Sequence, residues 1–243
     1  DRRLELKTLS AADALITVSQ PWANELATLH RRKETYAITN GFDPDEMNIL
    51  PAKVTDKFTI TYTGLIYTGK QDPAKLFAAL HELVSEKIMA PKDVEVRFYG
   101  TSENWLDKEI GKYGLSKIAK QYGFVSRQVA VEKQRESQLL LQLGWEGQEE
   151  AGYSAKVFEY LAAKRPILST GLGNDRTEEL LEKTKAGRCA HTVEDIKIIL
   201  TQLHSEYRSS GEVIYRGEKT EIDRYSQREV ARKFSQILST YSS

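Results

Sequence analysis

Three polar residues, Ser154, Lys156 and Glu159, stand at and just after the predicted start of a helix in the second half of the chain. Backbone amides at a helix N-terminus attract anions, and the Ser154 hydroxyl and the Lys156 ammonium group would add a donor and a positive charge. Glu159 lies three residues after Lys156, on the same helix face, and its carboxylate can accept hydrogen bonds from hydroxyl groups. The spacing therefore fits an anionic ligand that carries hydroxyls, although a solvated face of an ordinary amphipathic helix explains the same pattern.

The segment 152–169 that holds these residues is expected to form a short loop, a helix of about three turns and a buried strand. Pro166 should end the helix. The helical pattern separates an apolar side from a polar side: Val157, Phe158, Leu161 and Ala162 against Lys156, Glu159 and Ala163.

A second candidate cation, Lys70, follows the loop that runs from Gly64 to Gly69. Two glycines in a loop after a strand allow the backbone to approach a ligand closely. An exposed loop lysine with no ligand is the alternative. The helix that follows is expected to have Asp72 as its N-cap and Pro73 as its first residue.

Composition limits the class of protein. Lys plus Arg and Asp plus Glu number 35 each in 243 residues, so no net charge favours nucleic acid or an anionic membrane. The only cysteine, Cys189, excludes an internal disulfide framework and fits a reducing compartment, and we expect a cytoplasmic protein without evident membrane association. The four histidines show no metal-ligand spacing, so no metal and no cofactor is expected.

Strand and helix patterns alternate along almost the whole chain, which predicts an α/β fold with a parallel, Rossmann-like sheet covered by helices on both faces. Expected strands lie at 13–19, 35–39, 58–63, 94–99, 118–125, 138–143, 166–170 and near Arg188. Expected helices lie at 21–31, from 73 onward, at 105–113, 128–136, within 152–165, and at 178–183, 193–204 and 227–238. In such a sheet, ligands bind beyond the carboxyl ends of the strands.

The run K-x-F-E-Y-L-A-A-x-x-P-I-L, from Lys156 to Leu168, resembles the donor-binding helix of nucleotide-sugar glycosyltransferases with the GT-B fold, especially glycosyltransferase family four. The segments ADALITVSQ and Asn-Gly-Phe-Asp resemble the end of the N-terminal domain in those enzymes. This implies four parts: residues 1–42 as a remnant of the N-terminal, acceptor-side domain, 43–57 as a linker, 58–222 as the donor-binding domain, and 223–243 as a helix that crosses back toward the N-terminal part.

The resemblance also implies roles for individual residues. The glutamate that matches Glu159 holds the ribose hydroxyls. The cations that match Lys70 and Lys156 contact the diphosphate and would stabilise it as it departs, and Lys70 is the expected catalytic residue. The loop at Gly64 approaches the donor, but Leu65 stands where the family usually has an arginine. The family holds the base largely through backbone groups of the loop that matches Gly123-Phe124-Val125-Ser126. The family's E-x7-E motif is half present, because Ala151 stands at the first acidic position, and Glu149 and Glu150 are out of register.

The implied activity is retaining transfer of a hexose from a nucleoside diphosphate sugar to a hydroxyl of a glycan or lipid-linked acceptor, as in polysaccharide biosynthesis. We expect this chain alone to be inactive, since the acceptor domain is truncated and a separate N-terminal domain is a possible partner. Two alternatives stay open. One is a GT-B-like domain that binds a nucleotide or glycan without catalysis. The other is a dinucleotide-dependent oxidoreductase, suggested by Gly171-Leu172-Gly173, although Arg176 occupies the third glycine position.

Overall fold

The computed structural model of the protein describes residues 2–31, 33–45, 52–145, 152–171 and 175–242. Its strands form two parallel sheets, and each strand expected from the sequence is found at closely similar bounds. In chain order the strands are β1 (Ala14–Thr17), β2 (Glu34–Ala37), β3 (Phe58–Thr63), β4 (Val94–Tyr99), β5 (Ala119–Gly123), β6 (Leu139–Leu143), β7 (Ile167–Thr170) and β8 (Gly187–Ala190).

The helices alternate with the strands, as predicted. Within the described residues they are α1 (Arg2–Leu9), α2 (Gln20–Leu29), α3 (Ala74–Ser85), α4 (Asn104–Lys112), α5 (Arg127–Arg135), α6 (Ala155–Ala163), α7 (Asp175–Thr184), α8 (Val193–Ser210), α9 (Lys219–Asp223) and α10 (Gln227–Tyr241). The sequence pattern did not predict α1 or α9. Helix α1 has no buried residue, and α9 is only five residues long.

The larger sheet has six parallel strands in the order β5-β4-β3-β6-β7-β8. The chain starts at β3 in the middle, adds β4 and β5 on one side, and then returns to build β6, β7 and β8 on the other. This is the strand order of a doubly wound dinucleotide-binding fold, with its topological switch point between β3 and β6. The expected fold class is confirmed, and the crevice where ligands bind in such folds lies beyond the ends of β3 and β6.

The core lies on both faces of this sheet. All six residues of β3 and all five of β6 are buried. Along β6, Leu139 and Leu141 pack into the larger apolar cluster with α3 and α8, while Leu140 packs into the cluster with α6 and α7. Successive side chains of a strand point to opposite faces, so a continuous apolar run fits a strand that is covered on both.

Helix α6 is more deeply buried than its amphipathic pattern predicts. Its expected apolar side is buried, but Ala163, expected on the polar side, is only 4% exposed. The C-terminal segment also covers α6, since the Phe158 and Tyr225 rings lie 5.6 Å apart. This second contact leaves less of the helix surface exposed to solvent. The helix ends at Ala163 through Lys164, which adopts a left-handed conformation, and therefore stops before Pro166.

Helix α3 begins one residue later than expected. Pro73 occupies the N-cap position, and the helix starts at Ala74. The Asp72 carboxylate still contributes at this end, because it accepts a hydrogen bond from Ala74 N at 2.8 Å.

The segment before Gly41 forms a small layer of its own, in which β1 and β2 pair in parallel. The beginning of α10 is tied to the end of this layer. Phe42 N donates to Tyr225 O at 3.0 Å, and Gln227 N donates to Phe42 O at 2.8 Å. Near its other end, the hydroxyl oxygens of Tyr36 and Tyr241 lie 3.3 Å apart. The closing helix therefore contacts the N-terminal segment, although none of its residues is fully buried.

Candidate functional site

A cavity of about 370 Å³ opens at the carboxyl ends of β3 and β4, between the starts of α5 and α6. Strand ends and helix starts meet there because every strand of the sheet runs in the same direction. The lining residues are Thr63, Gly64, Tyr99, Gly100, Phe124, Val125, Arg127, Ala130, Val131, Gln134, Lys156 and Glu159. The structure thus brings together Gly64, Phe124, Val125, Lys156 and Glu159, which the sequence predicted as site residues.

Lys156 is the cation at the floor of this cavity. Its Nζ donates a hydrogen bond to the Tyr62 hydroxyl at 2.6 Å and lies 3.8 Å from the centre of that ring. The Tyr62 hydroxyl donates in turn to Leu65 O at 2.8 Å, so it presents a lone pair to the lysine. Burial lowers the pKa of Lys156 to about 8, and the Glu159 carboxylate opposes part of that shift. The lysine is mostly charged at neutral pH, but its charge is poorly solvated, and an anion in the cavity would stabilise it.

Gly64 has no side chain to cover the Lys156 ammonium group, so that group can be reached from the cavity. Its φ of +107° is a conformation that side-chain-bearing residues rarely adopt, and an added Cβ would lie 3.1 Å from both Cε and Nζ of the lysine. Gly100 faces the same turn, where an added Cβ would lie 2.2 Å from Gly64 O. Both positions keep the backbone free of side chains at the cavity entrance.

Glu159 stands on the adjacent turn of α6, paired with a residue that the sequence did not single out. Arg127 Nη1 lies 2.9 Å from Glu159 Oε1. Arg127 is the first residue of α5, after the N-cap Ser126. A cation in the first turn of a helix opposes the helix dipole. A positive charge at the start of a predicted helix is therefore a sequence signal that could have marked Arg127 as a candidate site residue.

A buried network of hydrogen bonds holds the base of the cavity. Thr63 N donates to the Tyr160 hydroxyl at 3.0 Å, and Gln134 Nε2 donates to Thr63 Oγ1 at 2.9 Å. Tyr160 and Gln134 are almost fully buried. Networks of this kind fix side chains in place, so the end of β3, α5 and α6 form one rigid frame for Lys156 and Glu159.

Phe124 and Val125 lie at the rim of the cavity, on the loop between β5 and α5. Phe124 is 87% exposed, which is unusual for a large apolar side chain. The ring is therefore available to a flat ligand group entering the cavity.

Two predicted site residues lie outside the lining of the cavity. Ser154 is the N-cap residue of α6, and within the described residues its side chain makes no capping hydrogen bond. Lys70 projects from the loop after β3, with its Nζ 4.5 Å from the centre of the Trp145 ring. The structure thus places Lys70 against an aromatic ring that the sequence did not associate with it.

Some residues that the sequence singled out lie outside the described part of the chain, and others lie away from the cavity. Residues 146–151 are not described, and they include Ala151 at the first acidic position of the E-x7-E motif and the neighbouring Glu149 and Glu150. Residues 172–174 of the glycine motif are not described either. Cys189 lies on β8, where burial raises its pKa to about 11, so the thiol stays protonated at neutral pH. Across the described ranges, no group of three or more His, Cys, Asp or Glu residues is arranged to hold a metal ion.

In the part of the chain that is described, no helix is both long and apolar enough to span a bilayer.

The fold of this chain is shared with a known class of solved structures. Solved structures that match nearly the whole chain are glycosyltransferases with a Rossmann-like, GT-B arrangement, and this chain shares their fold. No protein-family model matches the chain, and no curated protein matches its sequence.

Three of these structures illustrate the likeness. HepE of Anabaena, solved with UDP-glucose, superimposes with a TM-score of 0.70 at 15% identity, over 98% of this chain and 67% of that one. TarM of S. aureus, a variant solved with fondaparinux, alpha-GlcNAc-glycerol and UDP, gives 0.68 at 14% identity, over 99% and 46%. A glycosyltransferase from Rickettsia africae gives 0.70 at 16% identity, over 95% and 65%. The chain therefore spans from about half to two thirds of the length of these proteins.

Proposed function

We propose that the cavity binds a nucleoside diphosphate sugar, and that the chain is the donor-binding half of a retaining hexosyltransferase similar to glycosyltransferase family four. The observation that carries the proposal is the largely buried ammonium group of Lys156, which faces the cavity beyond the carboxyl ends of β3 and β4, next to the switch point of the sheet. Within the described residues this largely buried ammonium group donates to a neutral tyrosine hydroxyl, so its charge has no carboxylate in hydrogen-bond contact there and is well suited to an anion. Solved proteins of the same fold hold UDP or UDP-glucose, which agrees with this ligand class.

Each part of the ligand has a matching group. Lys156 would bind the diphosphate, together with the amides at the start of α6 and the Ser154 hydroxyl. Glu159 would accept hydrogen bonds from the ribose hydroxyls, and the Phe124 and Val125 loop would hold the base. Lys70 would approach the diphosphate through a change in its own side-chain conformation, without movement of the loop that bears it.

The reaction exchanges one bond at the anomeric carbon. The bond to the diphosphate oxygen breaks, a bond to the acceptor hydroxyl oxygen forms, and the nucleoside diphosphate and a proton are released. Negative charge grows on the diphosphate as its bond breaks, so a fixed cation such as Lys156 stabilises the transition state more than the bound donor. No metal ion or cofactor is part of this proposal.

The acceptor side would come from residues beyond those of the donor cavity. In this proposal residues 1–42 belong to an acceptor-side domain, 43–57 to a linker and 58–222 to the donor-binding domain, and the segment 223–243 joins the two. The acceptor would be a glycan or a lipid-linked glycan of cytoplasmic polysaccharide biosynthesis. We expect the purified chain to bind nucleotide without transferring sugar, and sugar transfer by the chain to any acceptor would contradict that division.

A melting assay with UDP, GDP, ADP, CDP and TDP tests the binding proposal and identifies the base. A nucleotide present at a hundredfold excess over its dissociation constant should stabilise the fold by about 2.7 kcal/mol, or about 5–10 °C in melting temperature. Lys156→Met and Glu159→Gln should each reduce that shift. Lys117→Met is the matched control, since Lys117 is exposed and precedes the amino end of β5, whereas the cavity lies at the carboxyl ends of the strands. If no nucleotide raises the melting temperature, or if the shift survives both substitutions, the proposal fails.

A further inference from the structure

A pair of aromatic rings lies beside the cavity, beyond the carboxyl ends of β3 and β6, where the switch point of the sheet lies. The ring centres of Tyr67, from the loop after β3, and Trp145, from the end of β6, are 5.6 Å apart and the rings are inclined by 38°. Lys70 Nζ lies 4.5 Å from the centre of the Trp145 ring. Tyr67 is 49% exposed, and its neighbour Leu65 is 43% exposed. We name Tyr67, Trp145 and Lys70 the aromatic platform.

A buried side chain holds the two segments of the platform together. Gln71 is 4% exposed. Its Oε1 accepts a hydrogen bond from Tyr67 N at 3.1 Å, and its Nε2 donates to Leu143 O at 2.8 Å. One amide thus fixes the loop that bears Tyr67 to the end of the strand that precedes Trp145. Two aromatic rings that lie together at the surface, on backbone that is held in place from within, form a preorganised apolar surface for a ligand.

The platform is connected to the cavity through Tyr62. The Tyr62 hydroxyl accepts a hydrogen bond from Lys156 Nζ and donates one to Leu65 O, two residues before Tyr67. Gly64, which lines the cavity, opens the same loop. A ligand with its charged group on Lys156 could therefore extend along this loop toward Tyr67.

The chemistry of the platform fits a sugar ring. A pyranose presents an apolar face of C–H groups, which packs on an aromatic ring, and a rim of hydroxyls, which need hydrogen-bond donors and acceptors. Tyr67 and Trp145 supply the aromatic surface, and the Tyr67 hydroxyl and the Lys70 ammonium group supply polar atoms at its edge. We propose that the aromatic platform is a saccharide subsite of this protein. This inference rests on the proposed function, and either the donor sugar or an acceptor glycan would supply the same chemistry.

Calorimetry of Tyr67 variants distinguishes the donor sugar from an acceptor glycan as the occupant of this subsite. Matched pairs of ligands are titrated: UDP and UDP-glucose, GDP and GDP-mannose, and ADP and ADP-glucose. If the subsite holds the donor sugar, Tyr67→Ala should weaken binding of the nucleotide sugar about three- to tenfold and leave the nucleoside diphosphate unchanged. Tyr67→Phe keeps the ring and should retain most of the affinity for the nucleotide sugar. Lys156→Met should weaken both members of a pair.

A second arm uses maltotriose and N-acetylchitotriose without nucleotide. If the subsite holds an acceptor glycan, Tyr67→Ala should remove oligosaccharide binding while the nucleotide pairs stay as they were. Unchanged affinity for both kinds of ligand would overturn the inference and leave the proposed function intact. If the unsubstituted chain binds none of the nucleotides, the proposed function fails and this inference fails with it.

Discussion

Arg127 and Glu159 form an ion pair across the mouth of the cavity, with Nη1 and Oε1 2.9 Å apart. The pair links the first turn of α5 to the middle of α6. The Arg127 side chain is 57% exposed and that of Glu159 is 31% exposed, so the pair should contribute no more than about 1 kcal/mol to stability. It uses one carboxylate oxygen, and the second can still accept a hydrogen bond from a ligand. The pair thus holds the Glu159 carboxylate at the cavity while adding little to the stability of the fold.

The first prediction concerns this pair. If Arg127 acts on the ligand through Glu159, the effects of Arg127→Met and Glu159→Gln on nucleotide affinity should not add. A double-mutant cycle measured by calorimetry should give a coupling energy of about 0.5–3 kcal/mol. The free energy of unfolding without ligand should change by less than about 1 kcal/mol in either single variant. Additive losses of affinity would show that the two side chains contact the ligand independently.

The second prediction follows from the lowered pKa of Lys156. A bound diphosphate should raise that pKa back toward its ordinary value, so binding above pH 8 must take up a proton. Nucleotide affinity should therefore fall about fivefold between pH 7.5 and pH 8.8, a range in which the diphosphate and the bases keep a nearly constant charge. Lys156→Met should bind more weakly and lose this dependence. An affinity that stays constant over the range in the unsubstituted chain would contradict the prediction.

The third prediction concerns the stability of the unliganded chain. The unfolded state holds the Lys156 proton up to its ordinary pKa of 10.5, and the folded state releases it near 8. The unfolded state thus binds more protons between these values, so this group destabilises the fold below pH 8 and the penalty lessens as pH rises. Compared with Lys156→Met, the free energy of unfolding of the unsubstituted chain should rise from pH 8 to pH 10. A difference between the two chains that does not depend on pH would contradict this.

The fourth prediction compares two glycines in the same loop. Gly64→Ala should destabilise the fold by about 1–3 kcal/mol, because φ is +107° there, and it should weaken nucleotide binding because the new methyl group crowds Lys156. Gly69 also has a positive φ, of +75°, but an added Cβ would meet nothing within 4 Å. Gly69→Ala should therefore lose some stability and keep its nucleotide affinity. Equal losses of affinity in the two variants would show that Lys156 is not affected by crowding at Gly64.

The sequence predicted the secondary structure well because the signals are local. Continuous apolar runs indicated β3 and β6, and the period of the apolar residues indicated α6. The prediction of Lys156 and Glu159 as site residues came from the spacing on that one helix, together with the family resemblance of the run that contains them, and the structure places both side chains at one cavity.

The contacts between distant segments could not be predicted in this way. Tyr62 and Lys156 are 94 residues apart in sequence, and Arg127 and Glu159 are 32 apart. Which residues meet depends on the strand order, and the alternation of strands and helices does not determine that order. Ala163 is buried for a related reason, since the helical pattern shows that α6 has an apolar side but not that a second segment covers it.

The most direct test of the account is a crystal structure of the chain with the nucleoside diphosphate that raises its melting temperature most. The account predicts a diphosphate oxygen within hydrogen-bonding distance of Lys156 Nζ, about 2.7–3.2 Å, and a ribose hydroxyl at the same distance from the Glu159 carboxylate. The base should lie against Phe124 and Val125. A nucleotide bound at another place, or one in this cavity whose phosphates lie away from Lys156, would contradict the central claim.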